Sequence, residues 1–408
     1  MEVAHLCAAL RGLTIRSGLT QKLSQTLIFP CPLCTLWFVF SSWCISPIRF
    51  QNRRVSRTLK ILMLGVLTTL LITACGGNAA RNSTSTPNHA SPGSQSSESQ
   101  CQFIQHKLGK TKVCGQPQKV VALGPNMLEI LLALQVQPAG YADHVQFHRG
   151  DFDKPSQQIP YLGSLVTSQP MNIGVAGEPS LETLAKLKPD LILGNVEENK
   201  DKYTLLSQIA PTLLFERLSV GEWQRSIQGV AKALGRTEQA QKAIEAYNQQ
   251  LASTRKELAP FIAAHPKVLM LVSEKLNQNL QLANSTDPCN HLVKELGFQL
   301  VSLPGQQQFP VQKISIESLP QLDSDLIIVQ GYNLSQTDQL ADAKNIDNHQ
   351  LKDIKQEWNN NAIAKSLRAS KEGRVYFIPS YICYGFPGPI GAELILNQLR
   401  QQLLPYKS

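Results

Sequence analysis

His144 and His148 stand four residues apart beside Asp143, a spacing that would set two imidazoles on one helical face and could ligate a metal ion. The stretch around them reads as loop, so a bare metal ion is kept as an alternative ligand and no metal site is assigned. Cys31-Pro-Leu-Cys34 has redox or zinc spacing, but no second ligand pair follows it. No Gly-x-Ser-x-Gly nucleophile elbow, His-Glu-x-x-His zinc motif or phosphate-cradling Gly-x-x-x-x-Gly-Lys-Ser/Thr loop occurs. The chain therefore reads as a binder and not an enzyme, with an exported α/β enzyme as the other class.

Two carboxylates mark a repeat. Ser180-Leu-Glu182-Thr-Leu and Ser315-Ile-Glu317-Ser-Leu each run, in one register, into Asp190-Leu-Ile-Leu and Asp325-Leu-Ile-Ile. A short helix followed by a buried strand, used twice, describes two similar lobes, and two lobes enclose a cleft.

The elements that must position these residues alternate. Lys119–Leu123 reads as a strand, followed by a helix to Leu134 that Asn126 and Glu129 are expected to open as a capping box. Strands near 139–142, 190–193 and 212–215 alternate with helices near 180–187 and 202–209, a doubly wound α/β pattern. Residues 223–234 and 238–261 then carry apolar residues at helical spacing, the second stretch free of Gly and Pro until Pro260. Strands return at 267–272, 280–282, 299–302, 326–329 and 374–378, with helices near 290–296 and 390–403. The fold expected is α/β, with two Rossmann-like lobes joined by a single long α-helix and a ligand cleft between them. Its divisions are an N-terminal α/β lobe at 101–235, a linker helix at 236–264 and a C-terminal α/β lobe at 265–408.

Upstream of the lobes, residues 53–75 read as an export signal: Arg53, Arg54, Arg57 and Lys60 precede an apolar run that ends at Ala74-Cys75. That run is short for a bilayer span, and Leu71-Ile-Thr-Ala-Cys75 resembles a lipobox, with Cys75 the lipidated residue. Residues 76–100 are mostly small and polar and are expected to form a disordered tether. Residues 1–58 are expected to be a leader upstream of the true translation start. The formal charge of +9 follows this division. Residues 1–75 hold eight Lys and Arg against one acid, which accounts for +7 and leaves +2 for the remainder. The basic balance thus belongs to the signal, and nucleic acid is excluded as a partner.

Four cysteines remain after Cys75. The segment 101–114 reads as a hairpin turning at Leu108-Gly109, which sets Cys101 opposite Cys114 and predicts a disulfide in an oxidising compartment. Cys289 and Cys383 are left, with their pairing open.

Val120-Val-Ala-Leu with Leu128-Glu-Ile-Leu-Leu-Ala-Leu-Gln-Val-Gln-Pro-Ala-Gly-Tyr, Pro179-Ser-Leu-Glu-Thr-Leu with Lys188-Pro-Asp-Leu-Ile-Leu, and the Glu317 element resemble the helix-linked substrate-binding lipoproteins of ABC importers for ferric siderophores, ferric citrate, haem and cobalamin. The resemblance covers residues from about 101 onward. It implies an exported protein, periplasmic or at the cell surface and lipid-anchored to the membrane, that needs no cofactor. Such a protein would carry a ferric chelate, ferric citrate-like or a mixed citrate chelate, to a membrane permease, with haem, cobalamin or a bare metal as the alternative. It also implies that Glu182 and Glu317, one per lobe, dock on the permease. Ferric chelates are bulky and oxygen-rich, so Arg217 is expected to supply charge, Tyr161, Tyr332, Tyr381 and Tyr384 the walls, and Asn195 and Asn284 hydrogen bonds from loops beyond the strand ends. An Arg that the hydroxamate-binding branch would place before its Pro-Asn-Leu-Glu motif is missing, since Val175-Ala-Gly177 stands there.

Overall fold

The structure is a computed structural model, and it describes residues 101–404 apart from 218–220, 284–286 and 303–311. The leader, Cys75, the tether and Asn284 lie outside the described residues. Among the described residues no helix is long and apolar enough to cross a membrane.

A β-branched run of four buried residues, Val120–Leu123 (β3), forms the middle of the first sheet. The strands β4 (Gly140–Asp143), β5 (Met171–Val175) and β6 (Glu178–Pro179) lie on one side of it, and β7 (Leu191–Asn195) and β8 (Thr212–Phe215) on the other. All pairings are parallel except β5 with β6. Both faces are covered, which is why these strands read as continuous apolar runs. The hairpin of β1 (Cys101–His106) and β2 (Gly109–Cys114) lies beside this lobe, with Cys101 opposite Cys114 and joined to it by a disulfide.

The second sheet runs β12 (Gln312–Lys313), β10 (Gln281–Leu282), β9 (Lys267–Ser273), β13 (Leu326–Gly331), β14 (Val375–Pro379), with β11 (Gln299–Leu300) also on β9. The linker helix Thr237–Ala264 joins the two halves, and its 28 residues span about 42 Å at 1.5 Å each. It continues through Pro260 to Ala264, where Phe261 packs against His265 and Phe298.

The repeat has a mechanical reason. Asp190 donates its N–H to the Lys119 carbonyl (2.9 Å) and accepts from the backbone N–H of Gln118 and Lys119 (2.9 and 2.8 Å). Asp325 treats Lys267 alike: 2.8 Å to its carbonyl and 2.9 Å from its N–H. Each Asp thus staples the start of its own strand to the start of the central strand beside it. The elements before them differ. Ser180 caps the helix Leu181–Leu187 through the Thr183 N–H at 3.2 Å, whereas Ile316–Gln321 is a 3-10 turn because Pro320 cannot continue an α-helix.

The core is shared between the lobes. One cluster contains Val120, Ala122, Leu191 and Leu193 of the first sheet, Tyr247 and Leu258 of the linker, and Val268, Met270, Leu326 and Ile328 of the second. Alternate residues of the same strands, such as Val121 and Ile192, or Leu269 and Ile327, face two smaller clusters on the outer sides.

Two local expectations are corrected, and one helix had gone unread. The helix Pro125–Ala133 is opened by Gly124 with no side-chain cap, and Asn126 and Glu129 are spent elsewhere. Ser380–Gly385, read as loop, is a helix. Ile346–Asn360 is a helix that went unread because its buried Ile346, Leu351, Ile354 and Trp358 are diluted by polar residues.

Candidate functional site

Residues at the carboxyl ends of strands in the two lobes meet, Asp143 of β4 with Tyr381 after β14 and Arg217 after β8 with Tyr384, at the usual place for a ligand in doubly wound sheets. Among the described residues, six polar contacts bridge the lobes there. Tyr381 donates to both oxygens of Asp143 (2.6 and 2.7 Å), which also accepts from Tyr141 Oη (2.6 Å) and its neighbour's backbone N–H (2.6 Å). Tyr161 donates to Asp347, and its ring lies 6.0 Å from that of Tyr381, near-parallel. Arg217 donates from Nη1 to the Tyr384 carbonyl at 2.7 Å. Thr337 donates to the Gln146 carbonyl at 3.0 Å, and Arg149 pairs with Asp338 at 2.6 Å.

The sixth bridge is the expected helix cap turned to another use. Glu129 is fully buried and accepts from the backbone N–H of Gly388 (2.9 Å) and Gly391 (2.7 Å), at the start of the C-terminal helix Pro389–Leu403. A carboxylate at a helix N-terminus is favoured by the dipole and the free N–H groups. Burial nevertheless pushes its pKa up, from 4.5 to about 7, against the N–H groups of Gly391, Gly388 and Ile390 that hold it down. Gly391 has no room for a side chain: a Cβ would lie 1.9 Å from the Phe386 carbonyl oxygen.

Of the expected ligand residues, Arg217, Tyr161, Tyr381 and Tyr384 do come together at this boundary. Tyr332, just past β13, is 45% exposed. Tyr381 is buried, and burial together with Asp143 and Tyr141 raises its pKa well above the ordinary value. It holds the lobes together in this state more than it offers a wall. Asn195 is wholly buried: its amide exchanges hydrogen bonds with Asn126 (2.7 and 3.0 Å), and its N–H donates to Asn199 Oδ1 at 3.0 Å. It ties the turns after β3 and β7 beneath the cleft and does not line it. Gly124 lies in this knot at φ 117°, and a Cβ there would meet Asn195 Nδ2 at 2.8 Å.

His144 and His148 are not brought together as ligands. His148 Nε2 lies 3.0 Å from Gln158 Nε2, while His144 Nδ1 lies 2.9 Å from Glu198 Oε1. The metal-ligating cluster found among the described residues is Asp287 with Cys289 and Cys383, whose sulfurs are joined in a disulfide and cannot ligate.

Several participants were not read from sequence. Asp143 and Glu198 follow from the strand-end rule that selected Arg217, since they close β4 and follow β7. Asp347 sits on the unread helix and had no signal. Glu198 lies between His144 and Arg217, 3.6 Å from Arg217 Nη2. Burial alone would raise its pKa, but His144 and Arg217 outweigh it and hold the carboxyl below the usual range. A narrow recess continues from Arg217 past Trp223, Tyr247, His291 and Phe386, so both lobes and the linker contribute to it. Tyr384 stays neutral through burial and the Asp287 carboxyl.

Residues 120–382 match the family described as "Periplasmic binding protein". The chain belongs to that family. This binding protein is 27% identical over 325 residues to the putative ABC transporter substrate-binding lipoprotein YhfQ of Bacillus subtilis, covering 77% of this chain and 92% of that protein. It is 26% identical over 324 residues to the Fe(3+)-citrate-binding protein YfmC of the same organism, covering 79% and 89%. Among solved structures, Staphylococcus aureus SirA complexed with staphyloferrin B superposes with a TM-score of 0.58 at 23% identity, covering 74% of this chain and 98% of that one. The petrobactin-binding protein YclQ of Bacillus subtilis gives 0.60 at 17% identity, covering 75% and 99%. These likenesses confirm the two-lobed, helix-linked fold.

Proposed function

We propose that this protein captures a ferric siderophore outside the cytoplasm and delivers it to the permease of an ABC importer. The chelate is of the ferric citrate or mixed citrate class. The observation that carries this reading is the convergence of Arg217, Tyr161 and Tyr384 from opposite lobes on one boundary, in a member of the periplasmic binding protein family. Relatives named for ferric citrate and for siderophores support the choice of ligand. A guanidinium with phenol faces and backbone carbonyls suits an oxygen-rich chelate. Nothing in this arrangement calls for catalysis: the buried carboxyls and phenols bind one another.

Cys75 is the lipid anchor in this reading, so the mature protein stays at the outer face of the membrane, and Glu182 and Glu317 are the contacts to the permease. Both glutamates are exposed, one on each lobe. Paired carboxylates on separate lobes report the spacing of the lobes to a partner bearing cations.

A thermal-shift and tryptophan-fluorescence screen of residues 76–408 against ferric citrate, mixed citrate chelates, ferric catecholates, haem and cobalamin tests the proposal. Trp223 beside Arg217 is the built-in reporter. A true ligand at 100 times its dissociation constant adds about 2.7 kcal/mol. Unchanged melting with every ferric chelate, or stabilisation by haem or cobalamin instead, would overturn it.

A further inference from the structure

Charge at the cleft is more balanced than a single Arg suggests. The backbone N–H of Arg217 donates to Glu197 Oε1 at 3.0 Å, its Nη1 to the Tyr384 carbonyl at 2.7 Å, and its Nη2 lies 3.6 Å from Glu198 Oε1. That same Glu198 oxygen lies 2.9 Å from His144 Nδ1. The side chains of Arg217, His144 and Glu198 are all mostly buried, at 12, 15 and 19% exposure, so water screens the pairing little. Arg217 Nε and His144 Nε2 are buried without a hydrogen-bond partner in this arrangement, and Arg217 lines the recess.

Elsewhere at the carboxyl ends of the strands the charges include Asp143 closing β4, Arg149 paired with Asp338, Asp347 bound by Tyr161, Glu197 after β7, Glu216 after β8, and Glu274 with Lys275 after β9. Glu216 is engaged by Lys107. The segments 218–220, 284–286 and 303–311 contain no Lys, Arg, Asp or Glu in the sequence. A polyanionic ligand would thus meet a guanidinium already neutralised by a carboxylate of this chain, with an excess of acid around it. Bringing further negative charge into such a partly desolvated place is costly.

We propose that Glu198 is a specificity-determining residue. By neutralising Arg217 at the lobe boundary, it selects ferric chelates of low net charge over polyanionic ones. This rests on the ferric-chelate reading above and narrows it.

Ferric schizokinen and ferric aerobactin make the test, since these mixed citrate chelates share their iron-binding groups; they differ in two peripheral carboxylates and in arm length, and the shift of their affinity ratio between wild type and variant cancels the difference in arm length. Fluorescence titration of the wild-type protein should favour ferric schizokinen. Glu198→Gln, close in shape but uncharged, should move the affinity ratio about tenfold toward ferric aerobactin, and Glu198→Asp, which withdraws the carboxylate, should move it the same way if the Gln variant folds poorly. A ratio that stays constant, or that moves further toward ferric schizokinen, overturns the assignment. A second measurement needs no chelate. In the free protein the Arg217 Nε–H group should be rigid by 15N relaxation and loosen in Glu198→Gln, and equal rigidity in both proteins also overturns it. Should no ferric chelate bind either protein, the transport reading fails, while the relaxation result still decides whether Glu198 holds Arg217.

Discussion

Tyr381 of the second lobe donates to both carboxylate oxygens of Asp143 in the first, at 2.6 and 2.7 Å, and both residues are buried. With Tyr141 on the same carboxylate, two phenols from opposite lobes share one buried anion. Removing one donor leaves Asp143 under-satisfied. Tyr381→Phe should therefore destabilise the protein by about 1–3 kcal/mol, as read from urea unfolding, and widen the lobe-to-lobe distance measured between spin labels. An unchanged distance distribution would mean that the pair is packing and not a clasp.

Glu129 makes a pH prediction with a definite sign. Its pKa is raised on folding from 4.5 to about 7, so between these values the folded state binds more protons than the unfolded one, and stability falls as pH rises through that window. Glu129→Gln cannot titrate. Relative to the variant, wild type should lose stability between pH 5 and pH 8 in chemical denaturation. A wild-type-to-variant difference that stays constant over that range would contradict the buried-carboxyl account.

The two disulfides should differ in weight. Cys289–Cys383 closes 94 residues and Cys101–Cys114 closes 13. Loop-closure entropy assigns about 4–5 kcal/mol to the first and about 3 kcal/mol to the second. The Cys289→Ala/Cys383→Ala protein should unfold at lower denaturant than the Cys101→Ala/Cys114→Ala protein; the reverse order would show that the chain-entropy argument fails here.

Glu182 and Glu317 are exposed, so replacing both with Ala should leave melting and ligand affinity within error while lowering uptake in cells at least several-fold. Normal uptake by the double variant would remove these residues from the docking surface.

Gly391 tests the contact between Glu129 and the C-terminal helix from the other side. Gly391→Ala sets a methyl group against the Phe386 backbone and should cost more than the 1–3 kcal/mol typical of overpacking. Melting unchanged from wild type would show that the helix start is free to shift.

Much of the architecture was legible because it depends on local patterns. Val120–Leu123 and Leu326–Val329 are apolar on both faces, which only a covered parallel sheet requires. The linker was visible as a long stretch at helical spacing without Gly or Pro before Pro260. The repeat of Asp190 and Asp325 was visible as spacing, although its purpose, bracing Lys119 and Lys267, was not.

The cleft was legible only in part. Arg217, Tyr161 and Tyr384 follow from the rule that ligands sit beyond strand ends, but that rule says nothing of what a side chain does on arrival. Asn195 obeys the rule and is spent on Asn126, and Glu129 has the spacing of a cap and serves another helix. Partners separated by 259 or 238 residues leave no trace in local periodicity.

By itself, then, the sequence determined the two α/β lobes, the helix between them and the pairing of Cys101 with Cys114, because hydrophobic period, turn chemistry and short-range mirror symmetry act over a few residues. The tertiary structure alone decided that Asp143 meets Tyr381, that Glu129 reaches Gly391, and that Arg217 is matched by Glu198. Burial sets the energetic weight of such pairs, and burial belongs to the folded whole.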